Sequence, residues 1–357
     1  MAARLSRIGS LAFLVGLILL VAWRIDLGAV GAHLAAGAWP FLALAAVANI
    51  ASAVLKSMTW QGLLNNVRGV DGRLQSLDLV SPLLVGALVN SGLPGRAGEV
   101  AKAVLARRRI ARRGGGAGIA QVAGSIAAEH LVSTLAWAVI AVVVVHRLPL
   151  PLAIDAATIA VAAGCLGVTA LVAWRPAPAR TARGRLRRPV AALVDAWSAV
   201  HESLRGLGRP RPLAYVTAVS AGQWVAQWAA IAFTLQATGL GDAGPAAAGM
   251  VLVTLTLAHA VPLLPGGFGT FQIAAMLPLT GAYGVSPEAA LSFGLLLQLG
   301  ETAVSVVLGF ACLVGEGVAQ AQASRATAAG SSPPRLIALR NAIMSSSVLR
   351  ASRSGRM

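Results

Sequence analysis

Leu93-Pro94-Gly95-Arg96-Ala97-Gly98 and Leu264-Pro265-Gly266-Gly267-Phe268-Gly269 share the pattern Leu-Pro-Gly-x-x-Gly, each inside an apolar stretch. Proline removes a backbone donor and clashes with the preceding turn, so a helix cannot run through Pro-Gly undisturbed. In lipid, interrupted backbone survives only where protein or a watery cavity covers it. The repeated motif therefore predicts two sheltered helix breaks.

The surroundings are those of a membrane protein. The chain is 57% hydrophobic and 11% charged, with a mean hydropathy of +0.75. That excludes an ordinary soluble domain, and several runs reach the roughly 20 residues that cross a bilayer. A formal charge of +17 would suggest nucleic acid in a soluble protein. Here arginines and lysines cluster between and after the apolar runs, as topology signals at an anionic membrane face do. No nucleic-acid-binding motif accompanies them. Cys165 and Cys312 sit in separate apolar runs and form neither a disulfide framework nor a metal cluster. Ile8–Trp23, preceded by Arg4 and Arg7, has signal-peptide character but reads as an uncleaved first span, because later runs need an anchor of that orientation.

Apolar runs near 8–23, 41–64, 117–145, 152–174, 213–238 and 287–315 read as full spans, while 77–113 and 246–284 carry the breaks. Trp23, Trp39, Trp60 and Trp174 fall near span ends, as an interfacial aromatic belt would place them. Residues 94–113 hold seven arginines and lysines, 175–211 nine arginines, and the stretch after Glu316 six. The links at 24–40, 146–151 and 239–245 hold only Arg24 and Arg147. Placing the rich segments inside gives cytoplasmic termini, in a plasma (inner) membrane of bacterial type. A full crossing by 77–93 would strand the seven-charge segment outside, so 77–113 reads as a re-entrant hairpin from the cytoplasm and 246–284 as one from the outer side. The expected fold is all-α, with six full spans and two re-entrant hairpins. Residues 8–147 and 152–315 then form an inverted-topology repeat, common in secondary transporters. Glu129 follows Gly98 by 31 positions and Glu301 follows Gly269 by 32. Domain 1–315 is membrane-embedded and contains the basic cytoplasmic loop 175–211. Residues 316–357 read as a basic, disordered cytoplasmic tail. Within the loop, Val190–Leu204 reads as an amphipathic helix on the membrane or a solvated linker helix.

Ionisable groups at membrane depth are costly, which makes each a functional candidate. Glu129 shares a helical stripe with Gln121, Ser125 and Ser133, and Glu301 has Gln298 one turn before it. Asn49, Ser52 and Lys56 form another polar face, and Gln223 and Gln227 a third. Glu129, Glu301 and Lys56 are expected to wall a polar cavity; the alternative is interhelical glue, with Lys56 snorkelling to the surface. A helix restarting after Pro94-Gly95 offers N–H groups to an anion, supplemented by Arg96 and Lys102 beside Glu99. Lys102 could equally touch head groups. Asn90, just before the break, joins this candidate path. The second break has Gly267 where the first has Arg96, and so offers backbone donors only. His130 adjoins Glu129 but should point to another face, which argues against a general-base pair. No metalloprotease, nucleophile-elbow, Walker or dinucleotide motif is present, so neither an enzyme nor a cofactor is expected.

Pro94-Gly95-Arg96-Ala97-Gly98-Glu99 with Lys102, Glu129-His130 and Pro265-Gly266-Gly267-Phe268-Gly269 resemble elements of a flippase-like family. That family is related to the transmembrane region of lysylphosphatidylglycerol synthases, and the resemblance covers roughly residues 8–315. It differs at His130, usually arginine, at Ser133, commonly aspartate, and at Thr270-Phe271-Gln272, where an acid is frequent. Nothing after 315 resembles a soluble aminoacyl-transferring domain. The resemblance implies a lipid-moving region, and the expected partner is a membrane lipid with an anionic head group. Competing expectations are an ion-coupled transporter of a small solute and a non-transporting accessory protein.

Overall fold

The computed structural model describes residues 38–70, 74–92, 96–147, 188–260 and 269–328, with short pieces at 159–160, 163–164 and 166–167. Span 8–23, nearly all of span 152–174, the motif residues Pro94, Gly95, Pro265, Gly266 and Gly267, and the tail beyond 328 lie outside the described residues. Among the described residues there are nine α-helices and no strand. In chain order they are α1 (Trp39–Leu64), α2 (Ser76–Gly92), α3 (Ala97–Arg112), α4 (Ile119–Arg147), α5 (Arg188–Arg205), α6 (Pro210–Ala237), α7 (Gly244–Ala260), α8 (Thr270–Tyr283) and α9 (Pro287–Ala328). Alanine and leucine dominate these segments and are the best helix formers. A helix also satisfies its own backbone groups in lipid.

Four stretches are long and apolar enough to cross a membrane: Trp39–Leu64, Ile119–Val142, Gly241–His259 and Pro287–Gly317. The third is the first arm of the second predicted hairpin. At 1.5 Å per residue, a 17-residue arm such as α2 or α7 reaches about 25 Å. That is most of a hydrocarbon core of about 30 Å.

Both predicted hairpins fold back on themselves. In the first, a Cβ added to Gly98 would lie 2.0 Å from the Gly86 carbonyl oxygen, so α2 and α3 touch backbone to backbone. At the other end, Arg113 Nη2 reaches Asp78 at 2.7 Å, joining the end of α3 to the start of α2. In the second, Thr254 donates to the Ala274 carbonyl at 2.6 Å, and the rings of His259 and Phe271 meet edge to face at 5.8 Å. Residue numbers rise along α7 as they fall along α8.

Each set of four helices builds its own core. Trp60, Leu79, Ala103 and Ile126 join α1, α2, α3 and α4. Ile231, Val251, Phe271 and Phe293 join α6, α7, α8 and α9. The sets meet along α1 and α6, which run antiparallel: Cβ atoms on Gly62 and Gly222 would lie 3.0 Å from Val216 and 3.5 Å from Leu55. Small residues permit that approach. The sets also exchange contacts through their fourth helices. Trp137 of α4 packs with Val253 of α7, and a Cβ on Gly309 of α9 would meet the Leu84 carbonyl of α2 at 2.6 Å. Trp137 follows Glu129 by eight positions, as Gly309 follows Glu301.

Two expectations gain detail. The helix read at Val190–Leu204, α5, is packed on α4: Gly124 approaches the Ala196 carbonyl so closely that a Cβ would lie at 2.1 Å. It buries Ala199, His201 and Ser203, while the apolar Val190 and Leu193 are exposed. Small side chains won the close contact, which an apolar-stripe reading overlooks. The tail boundary also moves, because α9 continues through Ala328 into the stretch read as disordered from 316. Its alanine-rich sequence favours helix. The compact unit that holds α1 to α8 ends at Phe310, within α9.

Candidate functional site

The polar groups predicted from sequence gather where α1, α3 and α4 meet. Glu129 is 1% exposed. Its stripe mates Ser125 and Ser133 are also buried, so the face spaced by four points inward as expected. Lys56 Nζ lies 3.9 Å from Glu129 Oε1, and its side chain keeps 28% of its exposure. It faces the carboxylate and does not snorkel away.

His130 requires a correction. Neighbouring helical residues diverge by about 100°, yet its imidazole turns back across the helix face. Nδ1 lies 3.7 Å from Glu129 and Nε2 lies 3.6 Å from Glu99. The ring therefore stands between two carboxylates on different helices. Neither distance is a hydrogen bond, and both Glu129 oxygens are buried without a hydrogen-bond partner. Such groups are normally satisfied. A carboxylate held by loose ion pairs alone leaves its lone pairs available to a donor that enters the site.

Lys102 is buried and does not reach for head groups. Its Nζ sits 3.1 Å from Glu99 and 5.1 Å from the centre of the Trp60 ring, a cation–π placement. Trp60 is fixed in turn by its Nε1, which donates to Ser125 Oγ at 3.0 Å. Burial alone would push the Glu99 carboxyl up. The His130 imidazole and the Lys102 ammonium outweigh that and hold it well below the usual carboxylate range.

The start of α3 differs from the anion cradle expected there. Gly98 donates its N–H to Asn90 Oδ1 at 2.7 Å, and Glu99 donates its own to the Arg96 carbonyl. Asn90 thus closes the hairpin and occupies a donor that an anion would need. Arg96 is the one non-glycine residue at positive φ among the described residues, at 57°. Its guanidinium Nη2 donates to the His259 carbonyl at 3.0 Å. The second break offers no cation of its own, but the arginine of the first reaches the helix that leads into it.

Glu301 stands apart from this cluster. It is half-buried, and its Oε1 accepts from Gln227 Nε2 at 2.6 Å. Gln298, one turn earlier, is buried against Gln272. Gln227 follows Lys56 by 171 positions, as Gly269 follows Gly98, and Glu301 follows Glu129 by 172. The two glutamates thus occupy matched places, one facing a lysine and the other an amide. Of the groups here, His130 was assigned to another face and Trp60 to the interfacial belt, while His259 and Gln272 were not read as site residues. The four-residue spacing between Trp60 and Lys56 was the one available signal.

No group of three or more histidine, cysteine, aspartate or glutamate side chains suited to a metal occurs among the described residues. The arrangement is a buried network of opposite charges, with Lys56 and Arg96 at its accessible edge.

No curated protein matches the chain. Nor does any solved structure. The family profile described as the lysylphosphatidylglycerol synthase TM region matches residues 7–309. A match over most of the chain agrees with four helices long and apolar enough to span a bilayer. This membrane protein therefore belongs to the lysylphosphatidylglycerol synthase TM region family.

Proposed function

We propose that the protein binds a membrane lipid with an anionic head group and moves it between leaflets. The two hairpins act as re-entrant elements within six spans, and 8–147 and 152–315 act as an inverted repeat. One observation carries this reading: Arg96, beside the first break, contacts His259 at the helix end that leads into the second. A contact between helix ends that flank the two breaks supports one shared polar path for a head group, while its acyl chains stay in lipid. Support for the repeat comes from the matched pairs Lys56–Glu129 and Gln227–Glu301 and from the antiparallel seam of α1 and α6.

The anionic preference rests on which cations remain available. Lys102 is neutralised by Glu99, whereas Lys56 is partly open and Arg96 is exposed with only a carbonyl partner. Phosphate oxygens suit both side chains. Native mass spectrometry of gently extracted protein tests the binding. The expected result is a retained anionic phospholipid that is lost from Arg96→Ala; equal retention of zwitterionic lipid would contradict the preference.

A further inference from the structure

The matched carboxylates differ in what faces them. Glu129 has Lys56 at 3.9 Å and His130 at 3.7 Å. Glu301 has Gln227 at 2.6 Å. The charged and titratable groups on the elements around Glu301 are few. Within the compact unit, α9 itself carries Glu288, α6 carries Arg211 and Tyr215, α1 carries Lys56, α2 carries Asp78, α7 carries His259 and α8 carries Tyr283 at its last position. Lys56 is engaged with Glu129 and Asp78 with Arg113, while His259 is in contact with Phe271. Arg211 and Glu288 lie 16 and 13 helical positions from Gln227 and Glu301, or about 24 and 20 Å along the axes. Among the described residues, the group seen bonded to Glu301 is the amide of Gln227, and Gln298, one turn earlier, is bonded to Gln272.

An amide partner serves a carboxyl in both of its states. Gln227 Nε2 can donate to a carboxylate or to the carbonyl oxygen of the protonated acid, whose O–H then becomes a free donor. A lysine partner favours the ionised state alone. The matched position thus holds a carboxyl that can change its proton occupancy without losing its hydrogen bond.

We propose that Glu301 is the carboxyl through which the protein couples lipid movement to proton movement. In each cycle its carboxylate takes a proton from water on one side of the membrane and returns it to water on the other; no other bond forms or breaks. The inference rests on the lipid-moving reading above and assigns its driving gradient.

The test uses full-length protein in vesicles of phosphatidylethanolamine and phosphatidylglycerol. Lumenal pyranine reports protons, and NBD-labelled phosphatidylglycerol reports leaflet exchange. Under an imposed pH gradient, wild type and the exposed-end control Glu288→Gln should move protons, and labelled lipid should move faster than without a gradient. Glu301→Gln and Gln227→Lys, checked for folding by gel filtration, should lower proton movement at least tenfold, to the protein-free level. Proton movement of wild-type size in Glu301→Gln, or none in wild type, overturns the proposal. Lipid exchange without protons would leave the lipid reading standing and sink this one; protons without lipid exchange would sink the lipid reading and the coupling with it.

Discussion

The guanidinium of Arg96 donates to the backbone carbonyl of His259 at 3.0 Å, tying the residue beside the first helix break to the last turn of α7. Arg96 reaches that carbonyl from a left-handed backbone conformation, φ 57°, which costs a non-glycine residue roughly 1–2 kcal/mol. Strain retained at such a place usually serves function. Arg96→Gly should therefore leave the melting temperature unchanged or raised, because glycine adopts this conformation freely. Lipid exchange by the same variant should fall at least tenfold. A coincident loss of both would make Arg96 a structural residue only.

Gly98 allows the two arms of the first hairpin to meet. An alanine Cβ there would lie 2.0 Å from the Gly86 carbonyl oxygen and 2.5 Å from Asn90 Oδ1. Gly98→Ala should destabilise by about 1–3 kcal/mol, the range for overpacking. Gly116→Ala, with nothing within 4 Å of the added carbon, is the control. Thermal unfolding in detergent should separate the two.

Lys56 and Glu129 form a loose pair at 3.9 Å with the carboxylate buried. Removing the lysine alone strands a buried charge, whereas removing both charges does not. Lys56→Gln should therefore lower stability more than Lys56→Gln/Glu129→Gln does, with a coupling of about 1–3 kcal/mol. Strictly additive unfolding shifts would show that the pair does not interact.

Glu99 gives a pH signature. Its carboxyl is held below the usual range despite burial, by His130 and Lys102. The stability it contributes is fully present above its unfolded value of about 4.3 and is lost as pH falls through the lower folded value. The gap in melting temperature between wild type and Glu99→Gln should be present at about pH 5 and close at lower pH. A gap that widened as pH fell below about 4 would reverse the assignment.

The all-helical, membrane-spanning character was legible in the apolar runs, and the helix ends at Gly92 and Ala260 in the Pro-Gly positions, because each reports a backbone or membrane constraint that is local in sequence. The inward stripe through Ser125, Glu129 and Ser133 was legible for the same reason. His130 was misread because helical periodicity assigns direction to Cβ, while an imidazole can reach sideways to a neighbouring helix. Lys102 looked like one of a run of surface cations, and only the fold places Trp60 beneath it. The Arg96–His259 contact spans 163 positions and follows from how the hairpins are set against each other. The packing of α5 on α4 depends on Gly124 and Ala196, small residues that carry no hydropathy signal.

The central claim is that both hairpins serve one head-group route through the buried carboxylate of α4. Transfer of NBD-labelled phosphatidylglycerol between leaflets, read by external dithionite in proteoliposomes, tests it most directly. Wild-type protein should expose inner-leaflet label well above protein-free vesicles, and folded Glu129→Gln should lose that excess. Wild-type vesicles no faster than empty ones, or Glu129→Gln as fast as wild type, would contradict the account.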